Sequence, residues 1–282
     1  MKHADDSAAI LLLNNAITEI GENNEHYRIL AELYRKVYAG ECSLTDRIAL
    51  TDEVKSLGSG VLERLSAGLE LSLKDYATLM MVLSDNTATD VLFDFVGRDN
   101  IRKNVLEPLG LTNTKCDLPC KEMVDRMYGL NGGGFRELFK QNGGDYPDNR
   151  YNKWFTCEAE ENNQTTPLEI AKMLEVLYRG EWVCPEASSE MLKLMLSCQD
   201  FDRMKKYLPP LTLAARKPGA MDRFTADVGI VYDRKAGDYI LCMFYNGNLA
   251  DEKDYEKNIM GYLACEYLAQ LSRDIYNAHI ET

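Results

Sequence analysis

Apolar positions along the chain follow two periods. From Tyr27 onward, Ile29, Leu30, Leu33 and Val37 recur at helical spacing and Gly40 follows, which predicts a helix with one buried face and a glycine stop. Further helical runs cover Leu71 to Leu83, Thr87 to Val96, Pro167 (at a first-turn position) through Leu177 to Gly180, and Pro185 to Leu196. Then the period changes. Leu211 to Lys217, Ala226 to Tyr232 and Asp238 to Tyr245 are β-rich, and the turn Asp233-Arg234-Lys235-Ala236-Gly237 makes the last two antiparallel neighbours. Ile240 to Tyr245 is continuously apolar, so both faces of that strand are expected to be covered. Ile259, Leu263, Tyr267, Leu271 and Ile275, four apart, with apolar neighbours Met260, Ala264 and Leu268, predict a terminal helix with a broad face to lay on the sheet.

Two stretches resist this reading. Residues 8–20 fit either a hairpin or one capped helix. From Cys116 to Gln164 the pattern dissolves into Gly132-Gly133-Gly134, Gly143-Gly144 and aromatic islands such as Tyr151 to Phe155, predicting a long, partly irregular insertion. The whole reads as an α+β lobe from 1–40 and 205–282, with a helical lobe at 41–204 inserted into it.

Composition narrows the function classes. With 45 acidic against 32 basic residues the net charge is −13 without blocks of like charge, which excludes nucleic acid and anionic lipid as natural partners. The acidic start and the short apolar run Ile10 to Leu13 predict neither an export signal nor a membrane span. Eight cysteines without a C-x-x-C pair read as reduced thiols, and the address expected is cytoplasmic. No cofactor or metal is called for, since the Gly132-Gly133-Gly134 run lacks the Lys-Ser/Thr of a phosphate loop.

Candidate chemistry centres on Ser84-Asp85-Asn86, a hydroxyl, a carboxylate and a carboxamide on one turn between two apolar helices. Fixed donors of this kind can move a proton and hold an amide beside a reacting carbonyl, although the tripeptide alone is also a common helix cap. Its surroundings carry more. Ala39-Gly40-Glu41, Ser43-Leu44-Thr45-Asp46-Arg47-Ile48, Gly58-Ser59-Gly60-Val61-Leu62, Asn163-Gln164-Thr165-Thr166-Pro167 and Lys217-Pro218-Gly219 before Asp227 to Tyr232 stand in an order and spacing that resembles class A β-lactamases and penicillin-binding proteins. The resemblance implies an α+β, β-lactamase/transpeptidase-like fold: an antiparallel sheet flanked by helices, an all-helical lobe, and reduced N-terminal strands. It also implies that Ser84 relays a proton, Asn86 holds the ligand's amide, Lys217 faces its carboxylate with Gly219 and Ala220 beside it, and Asp85 braces the turn.

The nucleophile motif is missing. An ungapped count back from Ala39-Gly40-Glu41 puts Asn23 at the serine position and His26 at the lysine position, and no S-x-x-K occurs anywhere in the chain. A carboxamide cannot form an acyl-enzyme. Pro218 stands where a hydroxyl residue is usual, removing a hydroxyl and a backbone donor. For the deacylating carboxylate, Glu122, Glu137, Glu158, Glu160 and Glu161 compete. His26 at a helix start reads as solvated or capping, Cys116 and Cys120 as structural thiols, and Ser84 with Lys217 as the sharpest substitute nucleophile pair. The expected function is a β-lactamase-like protein with an acyl-amide ligand cleft and impaired catalysis. The alternatives are a hydrolase using Ser84, a misassigned N-terminus, or a protein partner held by the Tyr- and Trp-bearing insertion at 116–164.

Overall fold

A computed structural model describes residues 9–11, 20–21, 25–130, 160–221, 224–246 and 259–281. The chain divides into two compact units, Met1–Thr18 with Thr166–Thr282, and Glu19–Thr165. The boundaries thus fall at 18/19 and 165/166 rather than at 40/41 and 204/205. The helices at 167–178 and 185–196 pack on the sheet, and the helix after residue 25 packs on helices of the other unit.

The first unit is built on a sheet of order β1-β8-β7-β6, with β1 at Ala9–Leu11, β6 at Leu213–Met221, β7 at Phe224–Tyr232 and β8 at Tyr239–Asn246. Strands β6, β7 and β8 are antiparallel as their turn spacing predicts, whereas β1 joins β8 in parallel, Ile10 opposite Ile240. Residues 9–11 and 20–21 therefore go to different sheets, and the 8–20 segment is not one helix; its remaining residues lie outside the described ones.

Both faces of β8 are covered, as its unbroken apolar run requires. On one face Tyr239, Leu241 and Met243 join Leu268, Ile275 and Tyr276 of the terminal helix, Ile259–Ile280. The helices Pro167–Tyr178 and Pro185–Leu196 pack on β7 and β8 and on β6 respectively. Of the broad face expected on the terminal helix, Ala264, Leu268 and Ile275 are buried, together with Ala269, Ser272 and Tyr276, whereas Leu263 and Tyr267 are 48% and 52% exposed. A strict four-residue row slips around a helix of 3.6 residues per turn, so the covered stripe crosses from one row to the next. Each fully buried Leu or Ile contributes about 1.5–3 kcal/mol.

The second unit is helical. It contains α1 (His26–Tyr38), α2 (Leu73–Leu83), α3 (Asn86–Val96), a helical stretch at 98–109 and α4 (Cys120–Tyr128). It also carries two short ribbons, Ile20–Gly21 (β2) with Gln164–Thr165 (β5) and Arg47–Ala49 (β3) with Glu70–Ser72 (β4), so it is not all-helical. In the first unit the helices before β6 are α5 (Pro167–Tyr178) and α6 (Pro185–Leu196), and the terminal one is α7.

Helix α1 ends as foreseen: Gly40 adopts a φ of 72°, and Glu41 N–H closes on Lys36 O at 2.9 Å. Its burial differs from expectation. Every residue from Glu25 to Tyr34 is buried, including His26, Arg28 and Glu32, so its first half has no solvent face. Glu32 is held there by Arg35 at 2.8 and 2.9 Å and by Asn104 Nδ2 at 3.1 Å. The expected irregular stretch contains α4, a nine-residue helix whose Cys120, Met123 and Met127 face inward; residues 131–159 lie outside the described ones.

Val183, between α5 and α6, has a φ of 60°, and Cys184 N–H reaches Trp182 O at 2.6 Å across it. A β-branched residue is disfavoured there by sterics, and its side chain is largely exposed. Val183→Gly is expected to stabilise the protein by about 1 kcal/mol, read as a rise in the urea midpoint; an unchanged or lower midpoint contradicts this.

Candidate functional site

The turn Ser84-Asp85-Asn86 joins α2 to α3 and is anchored to the loop 56–62. Asp85 is the N-cap of α3: its carboxylate accepts from Ala88 N–H at 3.0 Å and reaches across to Val61 N–H at 2.6 Å and Leu62 N–H at 2.9 Å. Asn86 N–H donates to Ser59 O at 3.0 Å, and Asn86 Nδ2 donates to Leu57 O at 2.7 Å. Such an approach needs glycine. Gly58 and Gly60 have φ of 113° and 102°, and a Cβ would collide with the Asn86 carboxamide at the first and with Asp85 at the second. The Gly58-Ser59-Gly60 spelling is thus the counterpart of the Ser84-Asp85-Asn86 spelling.

Ser84, half-buried, takes the left-handed conformation, φ 55° and ψ 40°, at the C-cap of α2. Its Oγ lies 3.5 Å from His26 Nε2. His26 is wholly buried, not solvated as its place before an amphipathic run suggested. The head of α1 thus presents an imidazole to the hydroxyl of the turn.

Beneath the head of α1 lies a second polar cluster. Glu25, the N-cap of α1, accepts from the Cys120 thiol at 3.0 Å. Asp90 of α3 accepts from Cys120 N–H at 2.6 Å, Lys121 N–H at 2.8 Å and the Ser56 hydroxyl, tying α3 to the start of α4. Burial pushes the Cys120 thiol well above its ordinary range, with the charges of Glu25 and Asp90 adding to the shift, so it is not a ready nucleophile. Cys116 is buried as well.

Burial also raises Asp90 to about 6, against 3.8 unperturbed. Because the folded form then holds its proton more tightly than the unfolded chain, stability rises as pH falls through 6 toward 4 and is lost again as pH rises. Urea titrations between pH 7 and 4 are expected to show this slope in the parent and a flatter one in Asp90→Asn; equal slopes contradict the assignment.

Lys217 stands on β6 in the other unit. It is wholly buried, and its Nζ donates to Pro218 O at 2.6 Å. Pro218 sits opposite Asp227, and β6 has β7 as its only strand neighbour among the described residues, so its missing N–H interrupts no ladder on that side. Gly219 pairs with Ala226 and Ala220 with Thr225. His26, Ser84, Asp85 and Asn86 therefore share one unit, and Lys217, Gly219 and Ala220 the other. Asn23 lies outside the described residues, as do Glu137 and Glu158; Glu122 pairs with Arg126 on α4. The contact sequence reasoning missed is Ser84 with His26, which no local pattern announces.

A profile of the Beta-lactamase enzyme family matches residues 27–279, and the chain belongs to that family. Among solved structures it is similar to a β-lactamase from Sphaerobacter thermophilus, at 27% identity and a TM-score of 0.68, covering 92% of this chain and 86% of that one. It is also similar to PBP-A, at 22% identity and 0.60, covering 86% and 80%. The TLA-1 extended-spectrum β-lactamase shares the fold at 16% identity and 0.69, covering 95% and 88%. No curated protein matches. No helix among the described residues is long and apolar enough to cross a membrane.

Proposed function

We propose that this protein is a cytosolic, catalytically impaired relative of the β-lactamases that binds acyl-amide ligands of the β-lactam type without being acylated by them. One observation carries the reading. His26 fills the lysine position, wholly buried against Ser84, in a chain that has no S-x-x-K at all. The head of α1 is thereby committed to an imidazole in place of the amine that would activate a serine. Asn86 supplies the amide contact of the ligand, and Asp85 fixes the turn. The seven described cysteines are free thiols, which supports the cytosolic address.

A chromogenic cephalosporin tests the proposal, with intact mass and equilibrium binding measured on the same sample. The expected result is saturable binding without hydrolysis and without a mass increase. A β-lactam adduct, at any residue, overturns it.

A further inference from the structure

We infer that Ser84, with His26 as its proton acceptor, is a nucleophile toward activated esters, those whose leaving group departs as a stable oxide. The inference goes beyond β-lactam-type binding and does not depend on it.

Three observations meet at this pair. Ser84 Oγ and His26 Nε2 are 3.5 Å apart, within the looser range that catalytic pairs adopt before a substrate is docked. Ser84 is partly exposed while His26 is wholly buried, so the serine residue borders solvent and the base beside it is shielded from water. The serine is also held rather than loose. Its left-handed backbone is disfavoured for a residue with a Cβ, and it is kept in place by the Asp85 bonds to Val61, Leu62 and Ala88 and the Asn86 bonds to Leu57 and Ser59. Rigid placement of a nucleophile beside its base is what converts a weak hydroxyl into a reactive one.

The chemistry selects the substrate class. The Ser84 oxygen attacks the acyl carbon as its proton passes to His26 Nε2. The carbon–oxygen bond to the leaving group then breaks, and the electron pair stays on the departing oxide. The proton on His26 passes to solvent; water then attacks the acyl-serine as one of its protons moves to His26 Nε2, the bond from the acyl carbon to the Ser84 oxygen breaks, the acid is released, and that proton passes from His26 to Ser84. An aryl oxide leaves unaided. An amide nitrogen leaves only when protonated, and the hydroxyl that the family resemblance assigns to that relay is here the attacking group itself. Activated esters therefore react faster than amides, whose nitrogen must first take up the proton held by His26.

The test uses the full chain with p-nitrophenyl acetate, following nitrophenol release and mapping the acetylated peptide by mass spectrometry. Release above buffer with acetyl on Ser84 is expected, abolished in Ser84→Ala and slowed at least about 100-fold in His26→Gln. Melting curves show whether His26→Gln still folds. If it does not, the parent is measured in D2O, where proton transfer to the imidazole requires a slower acylation. Parent-rate release from Ser84→Ala, an adduct only at another residue, no release above buffer, or no slowing in D2O each overturns the inference.

Discussion

Asp227→Ala is expected to cost about 3–5 kcal/mol, because it leaves the Arg216 guanidinium buried with its counter-charge gone. Both side chains are almost fully shielded, and Arg216 Nη1 meets Asp227 Oδ2 at 2.6 Å; the same oxygen accepts from Met204 N–H at 3.0 Å. Around them, Arg203 donates to the Thr225 hydroxyl at 2.7 Å and pairs with Asp200, so no spare carboxylate is at hand. Arg216 Nη2 and Asp227 Oδ1 have no partner among the described residues, so the pair is not the cheapest way to fill this space. An apolar pair of similar volume, Arg216→Met with Asp227→Val, is therefore expected to recover most of what the single change loses. Urea midpoints for the parent, both single changes and the double complete the cycle. A loss below about 1 kcal/mol in Asp227→Ala would show that the guanidinium finds water or another partner.

What the sequence made legible is what repeats. The strands at 213–246, the helices around Ser84 and the terminal helix all follow from period and turn residues. Gly58 and Gly60 stood out before their geometry explained them. The failures share a cause too. Periodicity sorts polar from apolar positions and assumes that polar ones face water, so Arg28 and Glu32 on α1 were assigned to a solvent face they do not have. The burial of Glu32 is met by Arg35 one turn on and by Asn104, which is distant in sequence. His26 was misread for the same reason. Helix α4 was missed because nine residues with three inward side chains beside a glycine-rich stretch give too short a sample of the period. The parallel pairing of β1 with β8 joins segments more than two hundred residues apart, which no local signal encodes.

Asn23→Ser combined with His26→Lys is expected to turn the protein from one that binds a cephalosporin reversibly into one that captures it covalently. The family resemblance implies that these two positions carry the nucleophilic hydroxyl and the amine that activates it. At position 26 the environment is already suited to a base. The side chain there is wholly buried and touches Ser84, and desolvation of a lysine amine lowers its proton affinity, leaving a neutral fraction able to accept a proton. The Glu25 carboxylate, next in sequence and also buried, works against that shift, so the amine is expected to be weakened as an acid trap without being discharged outright. Asn23→Ser alone keeps the imidazole and is expected to react about 100-fold or more slowly than the double change; His26→Lys alone, lacking a hydroxyl at position 23, is expected not to react there. Release should not follow capture, because Glu122 is engaged with Arg126 on α4. The adduct is therefore expected to persist, visible by intact mass for hours. A double variant that melts like the parent yet takes up no cephalosporin would show that the loss of the serine is not the sole barrier, and that the binding surface around Asn86 has itself been given up.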